Sequence, residues 1–172
     1  AYFWSVRRDQ IDAWHAAPIE SWKHDALSLW PETAPLLAQV QSHKDMTVAL
    51  YRHRTHAHPV EGRMIHLGDS WHATSPQLGQ GANMALEDAW VLADEAAKGG
   101  AQWTARYQKR REARARKVIN AAENNAGRYH LRPGPLRSLA HLGLRLGSRL
   151  APGRMIGAYD WLYAEDVTRP PR

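Results

Sequence analysis

The stretch from Gly62 to Asp88 constrains the fold of this chain more than any other. It begins with a short, mostly apolar strand pattern over residues 64–67, which ends at a Gly-Asp pair. A loop with one proline and two glycines follows over residues 75–81, and a helical pattern begins directly after it. This order predicts an α/β fold with a carboxylate at the end of a strand. Ligands of open α/β sheets bind at that edge.

The residue types of this stretch suit a ligand with hydroxyl groups and an electron-rich edge. The carboxylate of Asp69 can accept hydrogen bonds from a sugar or a sugar alcohol. Gly79 and Gly81 have no side chains, so a ligand can approach their backbone closely. The positive end of the helix that follows favours an anionic or electron-rich group. A β-turn with an ordinary helix cap is the alternative explanation for these three residues.

The whole run resembles the second FAD-binding motif of the aromatic-ring flavoprotein monooxygenases, the family with the para-hydroxybenzoate hydroxylase fold. The matching sequence, at positions 62–89, is GRMIHLGDSWHATSPQLGQGANMALEDA. The family pattern is roughly G-R-h-x-h-x-G-D-A-A-H-x-x-x-P-x-x-G-Q-G-x-N-x-x-x-E-D-A, so Ser70 and Trp71 replace its two alanines. A looser resemblance extends to Tyr107–Arg114, which matches a Tyr-x-x-x-Arg-x-x-Arg stretch, and to Asp160–Tyr163.

The resemblance implies an FAD-dependent monooxygenase that uses NAD(P)H and dioxygen to hydroxylate an aromatic or similar electron-rich small molecule. It implies that Asp69 accepts hydrogen bonds from the ribityl chain of FAD. The backbone from Leu78 to Ala82 would face the pyrimidine edge of the flavin, and Pro76 would lie near the carbon that adds oxygen. The cofactor-binding residues expected on this basis are Asp69, Pro76, Leu78, Gly79, Gln80, Gly81, Ala82 and Asn83. No catalytic base can be assigned.

Three polar residues of the motif are interpreted as structural. His72 is expected to form a hydrogen bond within the loop rather than to catalyse. Glu87 and Asp88 lie in the second turn of the predicted helix, where acidic side chains suit its positive end.

The sequence lacks the G-x-G-x-x-G unit and the acidic ribose ligand that the family carries in its N-terminal half. We therefore expect the N-terminal half of the same protein as a partner, and we expect this chain alone to be incomplete and inactive. The opening residues 1–6 form a strand-like pattern without a Met, which favours a fragment, and they contain no secretory signal. A cytoplasmic location is expected.

The predicted architecture is a partial FAD-binding domain of the α/β class, with the end of a substrate-domain sheet and a helical C-terminal region. The end of the substrate domain is predicted over residues 1–57. The C-terminal part of the FAD-binding domain is predicted over residues 58–98, and the helical region over residues 99–172. Strands are predicted over residues 2–6 and 46–54. Helices are predicted over residues 18–30, 35–40, 82–97, 101–125 and 136–150.

Apolar spacing also predicts which helix faces are buried. In the helix at 82–97, the predicted buried stripe consists of Leu86, Ala89, Trp90 and Ala93. In the helix at 136–150, the apolar side is expected to pack on the chain's own domain, and it consists of Leu139, Leu142, Leu146 and Leu150.

Positive charge is concentrated in the second half of the chain. Residues 1–100 hold 8 Lys/Arg and 12 Asp/Glu, a net charge of −4, whereas residues 101–154 hold 13 and 2, a net charge of +11. A basic helical module that binds nucleic acid or an anionic membrane surface is therefore the alternative function. The simpler explanation is a solvated helix face, and no nucleic-acid-binding motif accompanies the charge, so nucleic acid is not expected as a partner.

Composition excludes several classes of site. The chain has no cysteine, so disulfides, thiolate metal sites and cysteine nucleophiles are excluded. No apolar run approaches the roughly 18 residues of a membrane span. Four histidines, His53, His56, His58 and His66, follow strand-like spacing without a carboxylate at ligand spacing, so we predict no metal site.

Overall fold

The structure, a computed structural model, describes residues 2–169. These residues form two compact units, which divide between Leu50 and Tyr51. Both units are mostly helical, and the described part of the chain contains one small antiparallel sheet. The mixed α/β prediction therefore holds only in its coarse form.

The first unit consists of three short helices and irregular segments. The helices are α1 (Ile11–Ala16), α2 (Ile19–Leu29) and α3 (Ala34–Leu37). The predicted helix at 18–30 is confirmed by α2, and Pro31 begins the 3-10 turn that follows it. The predicted helix at 35–40 is shorter than expected, because the chain turns after Leu37.

The core of this unit is aromatic. Trp22, Ala26 and Leu37 are buried together. Tyr2 and Trp4 pack edge-to-face on Trp22, with ring centroids 6.2 Å and 6.1 Å from it. The predicted strand at 2–6 is wrong, although its aromatic residues do pack. A strand requires a neighbour to receive its backbone hydrogen bonds, and no strand is present among residues 2–50.

The second unit begins with three two-residue strands. They are β1 (Arg54–Thr55), β2 (Val60–Glu61) and β3 (Met64–Ile65). The strands β2 and β3 form a hairpin, and Gly62 adopts a positive φ of 58° in its turn. The strand predicted over 46–54 is therefore wrong except at Arg54, and the strand predicted over 64–67 ends at Ile65.

The rest of the second unit is helical. Its helices are α4 (Asp69–His72), α5 (Gly81–Lys98), α6 (Trp103–Tyr129), α7 (Pro135–Leu150), α8 (Pro152–Gly157) and α9 (Asp160–Tyr163). The predicted helices at 82–97, 101–125 and 136–150 correspond to α5, α6 and α7. Gly99 ends α5 with a positive φ of 63°, and its N–H donates to the carbonyls of Glu95 and Ala96.

The predicted buried stripe of α5 is wrong. Leu86 and Trp90 are 70% and 52% exposed, and both predicted alanines are also exposed. The buried residues of α5 are Met84, Asp88, Val91 and Glu95. This face is covered because α6 packs on it and supplies arginines to its two carboxylates.

The face of α7 predicted to pack is not covered either. No residue of α7 is buried, and its leucines are exposed. Helix α7 contacts α8. A Cβ built on Gly147 of α7 would lie 3.0 Å from the sulfur of Met155 in α8.

The C-terminal end of α5 is held to α6 by a buried carboxylate. Glu95 is 3% exposed and accepts hydrogen bonds from Arg106 Nε at 2.6 Å and Arg110 at 2.8 Å. Lys98 adds a third at 3.2 Å. Burial alone would raise the pKa of Glu95, but these cations outweigh it and lower the pKa to about 2.

Glu95 should therefore make this protein sensitive to acid. Because its pKa is lowered on folding from 4.5, its ionised form contributes stability above that pH, and the contribution is lost as pH falls towards 2. We expect Glu95→Gln to reduce the loss of unfolding free energy between about pH 5 and about pH 3. Urea unfolding of both proteins at the two pH values measures this, and identical losses would contradict it.

Candidate functional site

The Gly-Asp turn is fixed by close contact with α5. Gly68 adopts a φ of +55°, a region that side chains disfavour. A Cβ at this position would lie 2.8 Å from the Cβ of Ala85, well inside contact distance. Only glycine therefore allows the turn to lie against the helix, and this contact determines where Asp69 begins α4.

Asp69 lies beside the start of α5. A Cβ built on Gly81 would lie 3.8 Å from Asp69 Oδ1, so the two halves of the motif meet. Asp69 is exposed, and none of residues 2–169 donates a hydrogen bond to its carboxylate. Its oxygens are therefore able to accept hydrogen bonds from a ligand.

The beginning of α5 is also open to a ligand. A 3-10 turn, Pro76–Leu78, leads to Gly79 at a φ of +62° and then to the N-cap residue Gln80. No side chain caps the N-terminus of this 18-residue helix, and its first turn contains no acidic residue. The first backbone N–H groups thus form an electropositive end beside the Asp69 carboxylate.

The remaining predicted residues differ in their surroundings. Pro76 is exposed, whereas the side chain of Leu78 packs on the core formed by Met84, Ala115, Val118 and Leu162. Gln80 is buried and accepts a hydrogen bond from Asn83 Nδ2 at 3.2 Å. Ala82 and Asn83 are exposed. Leu78 can therefore offer a ligand its backbone but not its side chain.

This arrangement fits the flavin and ribityl part of FAD. An accepting carboxylate suits the ribityl hydroxyls, and a helix N-terminus suits the electron-rich edge of the ring. The absence of a Cβ at Gly81 leaves open space beside Asp69, as a closely approaching ligand requires. Two side-chain oxygens next to Pro76, Ser75 Oγ and Gln77 Oε1, are buried without a partner within the described chain.

A buried ionic network lies directly behind the turn. Asp88 is 0% exposed and accepts hydrogen bonds from the Gly68 N–H at 2.8 Å, Arg111 Nε at 2.7 Å and His72 Nε2 at 2.5 Å. Burial by itself would raise the pKa of this carboxyl, but the three donors outweigh it and hold the pKa below its ordinary value. The interpretation of His72 as a structural hydrogen-bonding residue agrees with this geometry.

The Tyr-x-x-x-Arg-x-x-Arg stretch supplies the other side of this network. The Tyr107 hydroxyl donates to the carbonyl of His66 at 3.2 Å. Arg111 and Arg114 both bind Glu87, at 2.7 Å and 3.0 Å. The helix-dipole interpretation of Glu87 and Asp88 does not include these partners. The spacing of the motif on α6 was the signal that could have identified them.

Trp71 replaces a small family residue without disturbing the turn. Its ring is buried with Val91 and Tyr107, and its Nε1 donates to the carbonyl of His56 at 3.2 Å. The larger side chain therefore adds to the core beneath the turn and leaves Asp69 at the surface.

The histidines form separate contacts. His53 lies 3.4 Å from the Thr74 hydroxyl, His58 lies 3.3 Å from the Gln108 amide, and His56 stacks on His66 at 5.5 Å. Over residues 2–169, no group of three or more His, Asp or Glu side chains is arranged to hold a metal ion.

Much of the positive charge of α6 is used inside the chain. The α6 arginines that bind carboxylates of α5 are Arg106, Arg110, Arg111 and Arg114. Lys117 lies 4.1 Å above the ring centre of Trp161. These contacts involve five of the eight Lys and Arg residues of α6. Within the described chain, no helix is long and apolar enough to cross a membrane.

Comparisons with known proteins identify similar sequences. The family model of the FAD binding domain matches residues 2–122. The 3-amino-4-hydroxybenzoate 2-monooxygenase PtnB3 of Streptomyces platensis is 37% identical over 107 residues, which are 59% of this chain and 25% of PtnB3. The 2-heptyl-3-hydroxy-4(1H)-quinolone synthase of Pseudomonas aeruginosa is 62% identical over 32 residues, 19% of this chain and 8% of that enzyme.

A solved structure shows the same fold. The crystal structure of Klebsiella pneumoniae HpxO, complexed with FAD and uric acid, matches with a TM-score of 0.58 and 24% identity. The match covers 89% of this chain and 39% of HpxO. The chain spans about a quarter of the length of the first curated relatives that it matches. The resemblance carried by residues 62–89 is confirmed by relatives named monooxygenases, and the chain belongs to the FAD binding domain family.

Proposed function

We propose that this chain forms the flavin and ribityl side of the FAD site in an NAD(P)H- and dioxygen-dependent monooxygenase. The observation that carries the proposal is the position of the Asp69 carboxylate beside the uncapped N-terminus of α5. The relatives named as monooxygenases of hydroxylated aromatic acids favour an aromatic or similar electron-rich substrate.

Each part of the site would have a distinct role. Asp69 accepts hydrogen bonds from the ribityl hydroxyls and thereby orients the cofactor. The backbone N–H groups of Gly81 and Ala82 face the pyrimidine edge of the ring and favour negative charge there. Gly79 leaves the backbone accessible, and Pro76 lies at the approach to the ring. FAD itself supplies the redox chemistry when bound, while the protein holds and shields it.

We also propose that the rest of the FAD-binding domain, with the G-x-G-x-x-G unit, packs on the exposed apolar face of α5. That face consists of Leu86, Ala89, Trp90 and Ala93. Apolar residues on the side opposite the covered face indicate a helix that is buried on both sides. The match covers only 25% of the length of PtnB3, which supports this partner. The assignment of residues 1–57 to the substrate domain and of residues 99–172 to a helical region is part of the same proposal.

The proposed site can be tested at Asp69. In the full-length flavoprotein, Asp69→Ala should raise the FAD dissociation constant about tenfold to hundredfold, because a charge-assisted hydrogen bond contributes about 1.5–3 kcal/mol. Flavin fluorescence during titration of the apoprotein measures this constant.

Ser70→Ala is the matched control. Ser70 neighbours Asp69 in α4, and among residues 2–169 its hydroxyl bonds only to the backbone of Leu67. The control should bind FAD nearly as the original protein does. An unchanged dissociation constant in Asp69→Ala would mean that Asp69 only begins a turn.

A further inference from the structure

The network behind the turn anchors Asp69 on both sides. The residue before it, Gly68, donates its N–H to Asp88 Oδ2 at 2.8 Å. At the other end of α4, His72 Nε2 donates to the same oxygen at 2.5 Å. Asp69 therefore lies between two groups that a single buried oxygen holds in place.

The same carboxylate belongs to the helix that forms the other half of the site. Asp88 lies on α5, about two turns after Gly81. Its second oxygen accepts a hydrogen bond from Arg111 Nε at 2.7 Å, and Arg111 is itself 1% exposed. Arg111 in turn is held by Glu87 at 2.7 Å. Asp88 cannot move without breaking these contacts, so it is a rigid reference for both halves of the motif.

The two buried carboxylates of α5, Glu95 and Asp88, differ in the groups that they bind. Glu95 is also buried and also binds arginines of α6, but its partners are cations and none of them belongs to the turn. Glu95 therefore joins two helices only. Asp88 joins the same two helices and also holds the backbone of Gly68 and the side chain of His72.

We propose that Asp88 is a positioning residue for cofactor binding, which fixes the Asp69 carboxylate relative to the N-terminus of α5 through Gly68 and His72. This inference rests on the proposed function, since it assumes that Asp69 binds FAD. It assigns the buried network a role in ligand geometry beyond its role in stability. Loss of the Asp88 charge weakens the hydrogen bonds at both ends of α4, so Asp69 samples orientations that do not bind.

The test compares Asp88→Asn with Glu95→Gln in the full-length protein, at a temperature well below the unfolding midpoints of both. Each substitution neutralises one buried carboxylate on the same helix. We expect the FAD dissociation constant to rise about tenfold in Asp88→Asn and to stay within about twofold in Glu95→Gln. An equal rise in both variants would overturn the proposal, because it would show a general effect of weaker packing between α5 and α6.

Amide hydrogen exchange without FAD provides an independent measurement. The N–H groups of residues 68–72 should exchange at least about tenfold faster in Asp88→Asn than in Glu95→Gln. Equal exchange in the two variants would overturn the proposal even if FAD binding differed. If the original protein binds no FAD, the proposed function fails, and the exchange rates still decide whether Asp88 holds the turn.

His72→Phe is the second variant, for the case in which Asp88→Asn does not fold. It removes one anchor and leaves the Asp88–Arg111 pair in place. We expect the FAD dissociation constant to rise about threefold. An unchanged constant in this variant would show that the His72 anchor has no part in positioning Asp69.

Discussion

Gly81→Val should nearly abolish FAD binding in the full-length protein and leave its thermal stability almost unchanged. A Cβ at Gly81 meets one atom within 4 Å, Asp69 Oδ1 at 3.8 Å, which is an ordinary contact. Gly81 does not have a positive φ, so valine introduces no backbone strain of the left-handed kind. The added methyl groups instead occupy the space beside Asp69, where the cofactor would lie. We expect the FAD dissociation constant to rise about a hundredfold or more.

Flavin content and thermal midpoint, measured together, test this expectation. Gly127→Val is a suitable control, because Gly127 also lies in a helix, has no atom within 4 Å of its Cβ position and lacks a positive φ. The control should retain FAD. A lower midpoint with normal flavin content in Gly81→Val would contradict the assignment of the site, since it would show that Gly81 only eases the helix start.

The sequence alone identifies the candidate site because the motif is local. The turn at Gly68, the loop to Gly79 and the start of α5 are encoded by residue types whose backbone requirements are independent of distant contacts. The glycines of the motif that adopt a positive φ are Gly68 and Gly79, and Gly81 does not.

Burial could not be predicted in the same way because it depends on partners. The apolar pattern of α5 correctly identified a helix but selected the face that is exposed here, with Leu86 and Trp90. The covered face contains Asp88 and Glu95, which apolar periodicity discards as polar. Only their pairing with α6, far along the chain, makes their burial favourable.

The strands show the same dependence. Residues 2–6 have strand-forming types, yet their aromatic side chains pack on Trp22 without any backbone pairing. Strand propensity describes how well side chains fit a pleated surface, and it does not supply the neighbouring strand. The basic segment was similarly ambiguous, because net charge does not show which arginines have carboxylate partners.

Arg111→Met should produce a large loss of stability in the second unit. Arg111 is 1% exposed, and its Nε donates a hydrogen bond to Asp88 Oδ1 at 2.7 Å. Its removal leaves a fully buried carboxylate with only the Gly68 N–H and His72 as donors. Removing one partner of a buried ion pair typically costs about 3–5 kcal/mol. We expect a decrease of this size in the free energy of unfolding, measured by urea denaturation of the full-length protein at neutral pH.

Arg116→Met provides the matched control on the same helix. Arg116 is 69% exposed, and its partner Glu112 lies one turn away on the surface of α6. Exposed pairs of this kind contribute about 0.3–0.5 kcal/mol, so the control should be nearly neutral. The double substitution Arg111→Met with Asp88→Leu removes the unpaired charge and should recover part of the lost stability. If Arg111→Met were as mild as Arg116→Met, the α5–α6 interface would depend on apolar packing at Met84 and Val91 rather than on the buried ion pair.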